Sequence, residues 1–183
     1  MIKQNFYIHV GMHKCASSFL QRYFFEKIGI HLKDFKIITR KEETKKIIKI
    51  IHKLSEKKIS IRKARKSLHK FVGNYQNIII SHESLMGYHF FEFNDAKKKF
   101  YSMEKLFLKP NYLIMYRIQS EFLYSLWLHR IRKGNKVNFF EFINSKIKNK
   151  KSLNPRDYLT NFKKYNYNKI FGTYLKLNNK RIV

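Results

Sequence analysis

Phe6–Val10 is a short run of strand-forming residues that stops at Gly11, and Ser17 and Ser18 then supply the polar side chains that open a helix. A buried strand, a tight turn and a helix in that order commit the N-terminus to an α/β arrangement, because the helix must lie back across a sheet to bury its apolar face. The rest of the chain repeats the alternation. Thr39 with Glu42 three residues later is a capping-box signature, and Ile47, Ile48, Ile51 and Leu54 follow at helical spacing. Ile61, Ala64, Leu68 and Phe71 mark a second amphipathic helix, which Gly73 is placed to end. Asn77–Ile80 reads as a strand and Asp95–Leu108 as a helix. Tyr112–Tyr116 is apolar enough for a strand covered on both faces, and helix resumes from about Ser120 to Lys133. Asn138 with Glu141, and Asn154 followed by Pro155, signal two further helix starts. The expectation is a three-layer α/β fold with a mostly parallel central sheet and a strand-loop-helix unit at its start.

With 183 residues the chain has room for one domain, spanning 1–183, and there is no internal repeat or flexible linker. Lys180-Arg181-Ile182-Val183 resembles the opening of a strand with nothing after it, so the domain is expected to be incomplete at its C-terminus. The formal charge of +28 would suit a disordered chain, but 44% hydrophobic residues and 16% aromatics supply a core. That charge predicts attraction to polyanions without saying which. It also fits AT-rich coding, which would raise Lys, Ile, Asn, Phe and Tyr together. A lone cysteine, Cys15, excludes a disulfide framework and a thiolate metal cluster. No apolar run approaches the ~18 residues of a membrane span, and residues 1–10 lack the pattern of a signal peptide. A basic, soluble, cytoplasmic protein is expected.

Three clusters could carry chemistry. The first is His9-Val10-Gly11-Met12-His13-Lys14-Cys15-Ala16-Ser17-Ser18-Phe19-Leu20-Gln21, at the junction of the first strand and the first helix. Backbone N–H groups at a helix start, Lys14 and the two serine hydroxyls together make a cradle for phosphate or sulfate oxygens. It is not a Walker A loop: Cys15 stands where a magnesium-binding hydroxyl is needed, and no metal is expected. The bland alternative is a serine-capped helix with an incidental lysine. The second cluster is Arg117, just past the end of a strand, with Ser125 eight residues on inside the next helix. Ligands of open α/β sheets bind outside such strand ends, and the guanidinium fork suits a terminal phosphate. The third is Ser81-His82-Glu83-Ser84 at the mouth of another strand, where either Glu83 or His82 could take a proton from a hydroxyl. Its alternative is a turn capped by Ser81, with Glu83 beginning a short helix. Phe122, Tyr124 and Trp127 share one helix and are expected in the core rather than as a stacking platform.

The first two clusters, in that order and context, resemble the sulfotransferases that use 3'-phosphoadenosine 5'-phosphosulfate. The resemblance covers residues 5 to about 133. It implies that Gly11, His13, Lys14, Cys15, Ala16, Ser17 and Ser18 form a 5'-phosphosulfate loop and that Arg117 and Ser125 hold the 3'-phosphate. Cys15 departs from the threonine or serine usual there, which affects a side-chain contact and leaves the backbone cradle. The resemblance further implies a C-terminal segment closing over the nucleotide, which is expected to be missing from these 183 residues. The implied activity is transfer of a sulfuryl group to a hydroxyl or amine, with a carbohydrate as acceptor. Lys14 would act catalytically on the leaving phosphate, and Glu83 or His82 as base, since glycan-directed relatives often carry a Glu after this strand and other branches a His. The rivals are a nucleotide kinase-like phosphoryl transferase, which needs a magnesium ligand not found here, and a basic nucleic-acid-binding module, which has charge but no recognition motif.

Overall fold

The computed structural model describes residues 4–11, 17–39, 42–87, 95–134, 136–144, 172 and 174. Four parallel strands, β1 (Asn5–Gly11), β2 (Phe35–Ile38), β3 (Asn77–Ser81) and β4 (Asn111–Met115), form one sheet in the order β2-β3-β1-β4. All pairings are parallel, with Asn5 opposite Asn77 on β3 and Tyr7 opposite Asn111 on β4. Parallel strands need crossovers, and the chain supplies helices for each. Between β1 and β2 lie α1 (Ser17–Phe19), a π-helical stretch (Leu20–Phe25) and α2 (Glu26–His31), which run together because Phe19 and Glu26 keep helical backbone angles. Between β2 and β3 lie α3 (Glu42–Ser55) and α4 (Ile61–Val72), and α5 (Ala96–Phe107) precedes β4. After β4 come α6 (Gln119–Ile131) and α7 (Phe139–Asn144).

Strand alternation decides which side chains meet which helices. Phe6, Ile8 and Val10 of β1 point to one face, in register with Ile78 and Ile80 of β3 and Tyr112 of β4. There they join Ile47 and Ile51 of α3, Ala64, Leu68 and Val72 of α4, and Phe100, Met103 and Phe107 of α5 in the main core. The Phe6 and Phe107 rings lie 4.9 Å apart. His9 points to the opposite face and meets Phe25, ring centroids 5.7 Å apart. The sheet is thus covered on both faces, as an α/β fold requires.

Local chemistry sets several boundaries. Ser60 accepts a hydrogen bond from the Lys63 N–H at the start of α4, and Gly73 ends that helix at φ +58°. Asn138 and Glu141 form a reciprocal capping box, with bonds of 2.8 and 3.3 Å. Asp95 stands at the N-cap of α5 without a capping bond, its carboxylate paired instead with Lys99 at 2.6 Å. Of the three aromatics on α6, Phe122 is buried and Trp127 is half-buried, donating from Nε1 to the Val137 carbonyl at 2.8 Å. Tyr124 departs from the expected core position: it is 50% exposed and packs edgewise on Phe139. The Asn154-Pro155 helix start and the segment 180–183 lie outside the described residues.

Candidate functional site

Strand order reverses at β1. The chain leaves it toward β2 on one side, whereas β3 and β4 flank it directly, so their carboxyl ends face one crevice. Register aligns those ends: His9 pairs with Ser81, and Gly11 with Met115. Gly11, the pair His82-Glu83 and the segment Tyr116-Arg117 therefore leave the sheet at the same edge. Ser17 begins the helical run that follows β1, and Ser18 is half-buried one residue on. Met12, His13, Lys14, Cys15 and Ala16 lie outside the described residues.

The Ser81–Ser84 cluster is a fixed turn. Glu83–Leu85 forms one turn of 3-10 helix, and His82 rather than Ser81 caps it: His82 Nδ1 accepts a hydrogen bond from the Ser84 N–H at 3.1 Å. A short helix beginning at Glu83 was the bland expectation for this stretch, and it forms. Lys99 anchors the far side, donating to the Ser84 carbonyl at 3.1 Å while paired with Asp95, its side chain only 7% exposed. Gly87 closes the turn at φ +116°, where an added Cβ would meet Asp95 Oδ1 at 2.9 Å. Only glycine fits both the backbone angle and the approach.

Behind this turn lies a buried polar junction for which sequence reading assigned no role. Ser81, at the end of β3, shares a 2.7 Å hydrogen bond with His9 Nδ1. Gln21, in the π-helical stretch, donates from Nε2 to the Ser81 hydroxyl at 3.1 Å and to its carbonyl at 3.3 Å. Burial holds the His9 imidazole neutral, lowering its pKa from 6.5 to about 4, against an opposing pull from the nearby Glu83 carboxylate. The available signal was a histidine inside an otherwise apolar strand.

Arg117 follows β4 and pairs through Nε with Glu121 at 2.9 Å. Glu121 and Ser125 stand four apart on α6 and so share one helix face. Both members of the pair are exposed, 41% and 54% for their side chains. An exposed i,i+4 pair of this kind contributes about 0.3–0.5 kcal/mol. No group of three His, Cys, Asp or Glu side chains suited to a metal occurs among the described residues. No helix among them is long and apolar enough to cross a membrane.

Among solved structures, the chain is similar to a crystal structure of a sulfotransferase from Alicyclobacillus acidocaldarius. The two are 18% identical with a TM-score of 0.62, over 100% of this chain and 72% of that one. No protein-family profile matches the chain, and no curated protein does. The likeness is one of fold.

Proposed function

We propose that the protein is a sulfotransferase that moves a sulfuryl group from 3'-phosphoadenosine 5'-phosphosulfate to an acceptor hydroxyl, with a carbohydrate as the acceptor class. The observation that carries this reading is the convergence of Gly11, Glu83 and Arg117 at the carboxyl ends of three adjacent parallel strands, in a fold shared with a solved sulfotransferase. Gly11, His13, Lys14, Cys15, Ala16, Ser17 and Ser18 would receive the 5'-phosphosulfate, the helix start contributing backbone donors. Arg117 and Ser125 would hold the 3'-phosphate and so fix the sulfur in line with the acceptor.

In the transfer, the acceptor oxygen forms a bond to sulfur while the bond from sulfur to the bridging phosphate oxygen breaks, leaving adenosine 3',5'-bisphosphate. Lys14 and the helix start stabilise the charge that grows on that leaving oxygen. The acceptor proton passes to the Glu83 carboxylate. The cap at His82 supports this choice of base. With Nδ1 accepting from the Ser84 N–H, the neutral ring carries its proton on Nε2, so in this geometry His82 can take up a proton only by giving up the capping bond.

Thermal shift separates this reading from its rivals. Adenosine 3',5'-bisphosphate without metal is expected to raise the melting temperature more than ATP with magnesium or an unrelated oligonucleotide at moderate salt. Arg117→Ala is expected to erase the advantage of the bisphosphate over adenosine 5'-phosphate. Stabilisation only by magnesium-ATP, or only by the oligonucleotide at low salt, would transfer the assignment to a phosphoryl transferase or a nucleic-acid-binding module.

A further inference from the structure

Gln21, Ser81 and His9 come from three different elements and are each no more than 1% exposed. Such a junction is a poor way to gain stability. Buried polar groups cost free energy wherever a partner is missing, and His9 Nε2 and Gln21 Oε1 find none among the described residues. Its position relative to the reacting groups is more telling. Gln21 lies four residues, about one turn, beyond Ser17, on the helix that begins where the anion loop ends. Ser81 lies two residues before Glu83, and both of its oxygens accept from Gln21. His9 belongs to the strand that leads into the loop, and its ring feels the Glu83 carboxylate. The Ser84 carbonyl on the other side of Glu83 is held by Lys99, and the His82 N–H donates to the His9 carbonyl at 3.3 Å, so the turn is tied both to α5 and to the strand that carries the junction.

Resting on the sulfotransferase reading, we propose that the Gln21–Ser81–His9 junction positions Glu83 and transmits occupancy of the anion loop to it. An anion seated at the start of the helix fixes that helix, Gln21 carries the constraint to Ser81, and the turn bearing Glu83 is held in line with the donor. Donor and base thereby share one frame, which matters because a misplacement of about 1 Å can cost about a hundredfold in rate. Gln21, Ser81 and His9 are positioning residues and touch no substrate.

Hydrogen exchange with and without adenosine 3',5'-bisphosphate tests this without knowledge of the acceptor. In the wild type, the ligand is expected to slow exchange at Ser17–Leu20 and also at Glu83–Leu85, each by about tenfold or more. In Gln21→Met, nearly the same shape without the donor, and in Ser81→Ala, the first effect should remain and the second should fall below about twofold. Ser81→Thr keeps the hydroxyl and should restore it. Should Gln21→Met fail to melt cooperatively, the pair His9→Asn and His9→Leu makes the same comparison, because the asparagine amide stands where Nδ1 does. Ligand protection at Glu83–Leu85 that survives in the variants lacking the bond overturns the coupling, as does its absence in the wild type while Ser17–Leu20 is protected. Protection at neither segment in the wild type would instead remove the donor site itself, and this role with it.

Discussion

Under the proposed transfer reaction, Glu83 is favoured over His82 as base because the Ser84 N–H occupies the His82 nitrogen that would have to accept a proton. Glu83→Gln preserves shape and removes basicity, so steady-state sulfuryl transfer should drop about 10²–10⁴-fold while bisphosphate binding is unchanged. His82→Asn, which can still cap the turn, should lose far less, and the reverse ranking would hand the role to His82. His9 makes a second residue-level prediction. Its imidazole takes up a proton near pH 6.5 when unfolded but only near 4 when folded. Between those values the unfolded chain holds more protons, so acidification through that window favours unfolding, by at most about 3 kcal/mol for this one group. Chemical denaturation from pH 7 to pH 4 should show a steeper loss in the wild type than in His9→Asn, and parallel curves would mean that His9 is not the buried neutral group.

Most elements were legible in the sequence because each carried its own local chemistry. Gly73 ends α4, Asn138 and Glu141 cap α7, and the apolar runs at β1, β3 and β4 stand where the periodicity puts them. β2 was not legible: Phe35–Ile38 is four residues long, and one of them is a lysine, too little for a period to register. The π-helical stretch was equally hidden, since a widened turn has no composition of its own. The candidate site followed the same division. Glu83 and Arg117 were readable as residue types just past strand ends, whereas the Gln21–Ser81 bond depends on elements 60 residues apart and only the fold brings it about. The end of α5 yields a prediction. Leu108 terminates the helix in the left-handed region at φ +56° and is 69% exposed, so its side chain adds strain without burial to offset it. Leu108→Gly should raise stability by about 1 kcal/mol in urea titrations, and a loss of stability would show that the leucine packs better than its exposure implies.

The molecule as a whole is organised around β1, which, like β3, has a neighbouring strand on each side. Ile8, fully buried between Ile80 and Tyr112, is its centre. Ile8→Ala should cost about 2–5 kcal/mol by urea unfolding, because the flanking strands cannot close the space, and a cost well below that would mean that the centre of the sheet repacks. That same centrality means that β1 is made first and completed last. Its partner residues on β3 begin 72 positions later, at Asn77, and those on β4 only at Asn111. At a synthesis rate of about 5–20 residues per second, the strand waits about 4–14 s before its first neighbour exists. Through that interval Phe6, Ile8 and Val10 have no neighbouring strand of their own sheet beside them, so the apolar face of β1 stays uncovered by that sheet until β3 has been made.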